Sequence, residues 1–165
     1  MRKTTLVIVA AVVFGFLGLS SEAQQKTDPQ LGTWKLNLQN TSSTSPTYRA
    51  QKVSAILKIT SIPGGQVFVS DYVDADGQNV HTEYALLYDG KDYLRTITTA
   101  GKPVMCMISY QRIDDYTGDY TWKCTTGIGG QHTVISRDGK TWTNTSSGTT
   151  AQGQKVTSTY MYEKQ

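Results

Sequence analysis

Two segments decide the fold: Val104-Met105-Cys106-Met107-Ile108-Ser109-Tyr110 and, after a turn-rich stretch, Asp119-Tyr120-Thr121-Trp122-Lys123-Cys124. A hairpin centred on Asp115 sets Cys106 opposite Cys124. In that register one face is apolar and aromatic while the other is mostly polar, as a half-buried antiparallel pair requires. The apolar face then carries Cys106, Ile108 and Tyr110 on one strand, and Cys124, Trp122 and Tyr120 on the other.

The same register predicts a disulfide between Cys106 and Cys124, the two cysteines of the chain. Closing that loop would stabilise the fold by about 3 kcal/mol. Two buried free thiols are the alternative. A redox-active pair is disfavoured because the sequence has no Cys-x-x-Cys motif and no neighbouring helix to lower a thiol pKa.

The beginning of the chain has the pattern of a secretory signal over residues 1–23. Arg2 and Lys3 precede an apolar run from Leu6 to Leu19, and small residues follow at Ser21–Ala23. We therefore expect an exported protein, periplasmic or secreted, that is soluble after cleavage. In an oxidising compartment a disulfide persists. Residues 24–30 form a polar leader, and residues 31–165 form a single β-barrel domain.

Composition and turn spacing favour an all-β fold. The chain has 24 Thr and 10 Tyr, and residues of these two types favour sheet. Turn signals recur about every ten residues, which is typical of an antiparallel up-and-down meander of about eight to ten strands closed into a barrel. A formal net charge of +3 is too small to indicate nucleic acid or an anionic membrane. The expected turns include Pro63-Gly64-Gly65, Asp76-Gly77, Asp89-Gly90, Thr117-Gly118, Gly129-Gly130 and Asp138-Gly139.

The first and last strands can be placed from their alternation. Leu31–Asn37 reads as the first strand, with Trp34, Leu36 and Leu38 on one face, and the polar stretch Gln39–Lys52 reads as a long loop. The last strand, Val156–Tyr162, carries three inward residues: Val156, Tyr160 and Tyr162.

The motif Gly32-Thr33-Trp34-Lys35-Leu36-Asn37 resembles the Gly-x-Trp opening of the lipocalins and their calycin relatives. Over nearly all of residues 24–165 the pattern is similar to a group of small exported bacterial proteins of unknown function that are described as lipocalin-like. The resemblance implies a lipocalin-like barrel with Trp34 closing one end. It implies no activity, because the last strand lacks the Arg-x-Tyr with which fatty-acid-binding relatives hold a carboxylate.

Charged residues on apolar faces are the candidates for ligand binding. Asp71 shares a face with Val67, Val69 and Val73, and the arginines Arg95 and Arg112 alternate with apolar residues of their own strands. A charge inside a small barrel is costly unless it is paired. The two arginines are therefore expected to hold a carboxylate, with Tyr110, Tyr120 and Trp122 stacking on its apolar body. Charges at a barrel rim and plain core aromatics are the alternative.

Other motifs point to turns and surface positions. Asp74, Asp76, Gly77 and Glu83 imitate part of a calcium loop, but Tyr72 stands at its first position and the flanks alternate like strands. His81 and Glu83 lie on the face opposite Val80 and Tyr84, and so are expected to face water. We predict no metal, no cofactor and no catalytic residues of a known pattern.

Three functions remain after these exclusions. The first is an exported protein that binds a small apolar or amphipathic molecule in a barrel lumen. The second is an envelope interaction protein or inhibitor with a filled barrel, which binds through loops such as Gln39–Lys52. The third is an enzyme that uses Asp71 with Arg95 or Arg112 as acid/base and anion clamp.

Overall fold

The computed structural model describes residues 28–43, 54–74, 76–150 and 153–165. These residues form ten β-strands and no helix, which confirms the predicted all-β meander. The strands are β1 (Gly32–Ser43), β2 (Ser54–Ile62), β3 (Gly65–Val73), β4 (Asn79–Leu87), β5 (Tyr93–Thr99), β6 (Lys102–Arg112), β7 (Thr117–Cys124), β8 (Gly127–Ile135), β9 (Thr141–Thr150) and β10 (Lys155–Lys164).

Each strand pairs antiparallel with its neighbour in sequence, and β1 pairs with β10 to close the barrel. Closure pairs the first strand of the meander with the last, so neither of them is an edge strand. The residues Asp28–Leu31 precede β1 and lie at the end of the barrel that we call the floor. At the other end, the mouth, lie the turns between β5 and β6 and between β7 and β8.

The hairpin formed by β6 and β7 has the predicted register. Ile108 pairs with Trp122 and Tyr110 pairs with Tyr120. The predicted disulfide joins Cys106 to Cys124. The hairpin therefore presents its aromatic face to the interior, while outward residues such as Met107 stay partly exposed.

Alternating residues of all the strands point inward and form two buried clusters. One cluster lies around Trp34, Trp142 and Tyr162, and it includes residues of β1, β2, β8, β9 and β10. The other lies around Tyr110 and Tyr120 on β6 and β7. The inward positions predicted for Tyr160 and Tyr162 are confirmed, since these side chains are 6% and 1% exposed.

The first strand differs from the prediction. It runs from Gly32 to Ser43 instead of ending at Asn37. Leu38, expected beside Trp34 and Leu36, is 49% exposed. The reason is a shift in the pairing with β10 between Asn37 and Ser42, because such an irregularity changes which face a side chain occupies. Residues 44–52, which make up most of the predicted loop Gln39–Lys52, lie outside the described residues.

The predicted turn at Gly129-Gly130 is also wrong. Both glycines lie inside strand β8, and the chain turns at Thr125 and Thr126. Gly118, expected in a turn, is likewise a strand residue of β7. Gly118 leaves room for the Tyr110 side chain, because a Cβ at position 118 would lie 2.1 Å from the Tyr110 hydroxyl oxygen. Glycine inside a strand thus marks close approach of another group.

The predicted signal, residues 1–23, lies outside the described residues. Within the described ranges, no helix has the length and apolar character needed to cross a membrane.

Candidate functional site

The barrel encloses a cavity of about 380 Å³. Small-molecule sites in proteins have volumes of roughly 300–1,000 Å³, so this lumen has the size of a ligand site. Its lining reaches the exposed residue Thr126 at the mouth. Aromatic and hydroxyl side chains predominate, among them Phe68, Ser70, Tyr72, Thr82, Tyr84, Tyr120, Trp122, Trp142, Ser146, Tyr160 and Tyr162.

Arg95 is the one charged side chain among the described residues that line the cavity. It lies on β5, where Tyr84 of β4 and Cys106 of β6 are its cross-strand neighbours. Its Nε atom is buried and has no hydrogen-bond partner among the described residues. A guanidinium has five N–H donors in a planar fork and suits a carboxylate or phosphate. Arg95, which was expected from the sequence to hold a carboxylate, lies in the lumen.

Two of the selected aromatic residues line the same cavity. Trp122 lies against the backbone of two glycines, Gly129 on β8 and Gly148 on β9, which face each other across the strand pair. Tyr120 is 3% exposed and lies 6.4 Å from Tyr84, ring centroid to centroid. Burial raises the pKa of both tyrosines, so both phenols stay protonated and present a neutral apolar wall.

Arg112 was expected to hold a carboxylate of a ligand, and it instead binds a carboxylate of the chain itself. Its Nη1 donates a hydrogen bond of 2.6 Å to Asp28 Oδ2 at the floor. Its guanidinium also lies over the ring of Tyr88, at 5.1 Å from the centroid. Although burial disfavours the charged form, the hydrogen bond with Asp28 raises the pKa of Arg112. Arg112 therefore closes the barrel end and does not line the cavity.

The floor continues as a buried network of neutral side chains. Gln66 Nε2 donates to the Tyr120 hydroxyl at 2.6 Å, and Tyr88 donates to Gln66 Oε1 at 3.3 Å. Gln30, which is fully buried, donates to the Tyr110 hydroxyl. Tyr110, selected as a ligand contact, is thus part of the floor and is absent from the described cavity lining.

Trp34 is fully buried in this same region, and its Nε1 donates to the Gln30 carbonyl oxygen at 2.9 Å. The ammonium of Lys164 lies 5.0 Å from the centroid of its ring. Asp28, Gln30 and Lys164 were not predicted from the sequence, because their side chains contact Arg112, Tyr110 and Trp34, which lie far away along the chain. A short polar segment just before the Gly-x-Trp motif was the available signal.

Asp71 does not lie in the lumen, so the expectation that it shares the buried face of β3 is wrong. Its side chain is 71% exposed on the outer wall. There it accepts a hydrogen bond of 2.7 Å from Nδ1 of His81, its partner on β4. Glu83 lies 3.7 Å from the other ring nitrogen. The outward placement predicted for His81 and Glu83 is confirmed. An acid/base pair of Asp71 with Arg95 or Arg112 is therefore excluded by position.

The calcium-like motif is a hairpin turn, as expected. Asp74 Oδ1 accepts hydrogen bonds from the backbone N–H groups of Asp76 and Gln78, at 3.0 and 2.8 Å. Over the described ranges, no three or more His, Cys, Asp or Glu side chains are placed to share a metal ion.

No protein-family model and no curated protein sequence matches the chain. Among solved structures, the chain is similar to the ileal bile acid-binding protein of zebrafish in complex with cholic acid. The two share 15% sequence identity with a TM-score of 0.48, and the match covers 83% of this chain and 99% of the zebrafish chain. A similarity this low says nothing about what this chain binds.

Proposed function

We propose that this protein is an exported carrier that holds one amphipathic acid in its lumen, with the acid group on Arg95 and the apolar body against Trp122 and Tyr120. The observation that carries the proposal is a single cationic side chain, among the described lining residues, in a cavity of about 380 Å³ walled by aromatic groups. Paired with an anion, the guanidinium would gain charge-assisted hydrogen bonds. Export rests on the signal pattern of residues 1–23 and the resemblance to small exported lipocalin-like proteins.

The alternative, an interaction protein with a filled barrel, requires side chains where the cavity lies. The floor does fit that description, because Trp34 and Tyr110 are fully buried there. Between the floor and the mouth, however, the inward residues include small ones such as Ser70 and Ser146. The volume that they leave supports a ligand more than it supports a packed core.

The proposal is tested by titrating hexadecanoate and its methyl ester into the protein, with displacement of the dye anilinonaphthalene sulfonate as the signal. We expect one acid per barrel, and the ester should bind more weakly. Arg95→Gln should weaken acid binding by about 10- to 100-fold, the value of losing 1.5–3 kcal/mol of charge-assisted hydrogen bonding. It should leave the binding of the ester unchanged.

Arg137→Gln is the matched control. Its guanidinium stacks on Tyr116 at 4.4 Å and is not among the described cavity-lining residues. The same charge is therefore removed away from the lumen, and acid binding should not change. No binding of either probe, or equal weakening by both variants, would contradict the proposal.

A further inference from the structure

Two polar atoms on β9 lie buried at the lumen without a partner among the described residues. They are Nε1 of Trp142 and Oδ1 of Asn144. The two side chains are 1% and 5% exposed, and both line the cavity. The residues are two apart on one strand, so they share the inward face.

Such atoms are uncommon, because a buried polar group without a partner costs about 1–3 kcal/mol. Two other buried polar side chains of the barrel, Thr133 and Gln66, do have partners. Thr133, directly opposite Asn144 on β8, donates to the Gly118 carbonyl oxygen at 3.0 Å. Gln66 donates to Tyr120 at 2.6 Å.

Among the described residues, five buried side-chain polar atoms lack a partner, and four of them belong to cavity-lining residues: Thr82, Arg95, Trp142 and Asn144. The fifth is Gln30 Oε1 at the floor. The unpaired atoms are thus concentrated at the cavity wall.

The position of this pair relative to Arg95 follows from the strand order. Arg95 is on β5, and β9 lies four strands away in the closed ring of ten. The two strands therefore stand on roughly opposite walls of the lumen. A molecule whose acid group is held by Arg95 can extend its body toward Trp142 and Asn144.

The hydrogen-bonding character of Trp142 Nε1 and Asn144 Oδ1 indicates which ligand group could pair with them. Trp142 Nε1–H is only a donor, and Asn144 Oδ1 is only an acceptor. A hydroxyl can accept from the first or donate to the second, whereas a hydrocarbon chain can do neither. A carboxylate could accept from Trp142 but would place an acceptor beside the Asn144 oxygen.

We infer that the lumen is selective for a hydroxylated amphipathic acid, which places its acid group on Arg95 and an uncharged hydroxyl against Asn144 and Trp142. This inference deepens the proposed function and rests on it. An unsubstituted acid of the same length binds the same lumen but leaves both β9 atoms unpaired.

The test compares hexadecanoate with its ω-hydroxy and mid-chain hydroxy derivatives in the dye-displacement titration. At least one hydroxy acid should bind the wild-type protein about tenfold more tightly than hexadecanoate, the value of one satisfied buried polar group. Asn144→Leu, which keeps the side chain's approximate size but removes its oxygen, should reduce that ratio to about threefold or less.

Trp142→Phe provides a second variant, because it removes the indole N–H and keeps an aromatic ring. It should also lower the hydroxy-acid preference. Thr133→Val is the matched control, since Thr133 is buried, already paired and outside the described cavity lining. This variant should keep the full preference in the fraction that folds, as checked by circular dichroism.

The outcomes separate the two proposals. If none of the acids binds, the proposed function is wrong and this inference falls with it. If hexadecanoate binds and requires Arg95, but no hydroxy acid is preferred, the inference alone is overturned, and water is then the partner of the β9 atoms. A preference that persists in both Asn144→Leu and Trp142→Phe overturns it as well.

Discussion

Replacing Gly129 by alanine should destabilise the barrel through a collision with Trp122. A Cβ built at Gly129 lies 2.3 Å from Trp122 Cζ2 and 2.5 Å from the Ser147 carbonyl oxygen. Favourable contacts between carbon atoms need about 3.5–4.0 Å. The indole would have to shift by more than about 1 Å, and the Ser147 oxygen belongs to a paired strand.

The magnitude follows from two opposing effects. Alanine in a strand is favoured over glycine by about 0.5–1 kcal/mol because it loses less backbone entropy on folding. Overpacking a well-packed interior costs about 1–3 kcal/mol. We therefore expect Gly129→Ala to lower the free energy of unfolding by about 1–2 kcal/mol. Displacing the Trp122 ring into the lumen should also weaken hexadecanoate binding.

Gly130→Ala is the matched control, one residue further along β8. Its Cβ would meet only the Tyr120 carbonyl oxygen, at 3.4 Å. The variant should be as stable as the wild type or more stable by up to about 1 kcal/mol. Urea unfolding followed by circular dichroism and tryptophan fluorescence measures both variants. Equal stability of Gly129→Ala and Gly130→Ala would refute the packing that we describe for Trp122.

A double variant separates the two contacts of Gly129. Trp122→Leu removes the ring that the new Cβ would strike and leaves the Ser147 oxygen in place. Gly129→Ala should therefore cost less in the Trp122→Leu background than in the wild type, with a coupling energy of about 0.5–3 kcal/mol. If the stability losses of Gly129→Ala and Trp122→Leu are fully additive, the Trp122 ring does not lie against Gly129.

Three further predictions concern the disulfide, the floor and the outer wall. Changing both Cys106 and Cys124 to serine should lower the free energy of unfolding by about 3 kcal/mol, since the disulfide joins residues that are 18 apart. A loss below about 1 kcal/mol in urea unfolding would contradict this stabilisation by the disulfide. Asp28→Ala should cost about 2–3 kcal/mol, less than the roughly 3–5 kcal/mol of a fully buried ion pair, because Arg112 and Asp28 remain 22% and 19% exposed. Lys123→Ala, which removes an exposed ion pair with Asp92, should cost less than about 1 kcal/mol by the same measurement. Equal losses of stability in Asp28→Ala and Lys123→Ala would argue against a buried pair of Asp28 and Arg112. The hydrogen bond with Asp71 raises the pKa of His81. This contact therefore stabilises the fold at pH values below the unfolded-state pKa of His81, and it ceases to do so as the pH rises through the folded-state pKa. Asp71→Asn should lower the His81 pKa in an NMR titration, and an unchanged pKa would show that the pair does not form.

The sequence was informative wherever one strand or one hairpin carried the whole pattern. The register of β6 and β7 was predictable because the cysteine pair and the alternation of Ile108 and Tyr110 agree on it. The inward placement of Arg95 followed in the same way, because the neighbours Tyr93 and Ile97 share its side of β5. These inferences need only the two-residue period of a strand.

Positions that depend on distant partners or on ambiguous faces were not predictable. Strand β3 has apolar residues on both faces, such as Val69 outside and Phe68 inside, so its alternation does not show on which side Asp71 lies. The role of Arg112 depends on Asp28, which is 84 residues away. The pair Gly129-Gly130 is typical of a turn. A single sequence does not show that Gly129 lies instead inside a strand, with the indole of Trp122 against it.

The most direct test of a ligand-binding lumen is native mass spectrometry of the protein incubated with hexadecanoate, for the wild type and for Ser146→Trp. Ser146 lines the cavity and is 8% exposed, so an indole there would occupy the space that we assign to the ligand. The wild type should carry one acid per chain, and Ser146→Trp, if folded with its disulfide intact, should carry none. A wild type without bound acid, or equal adducts in the two proteins, would contradict binding inside the barrel.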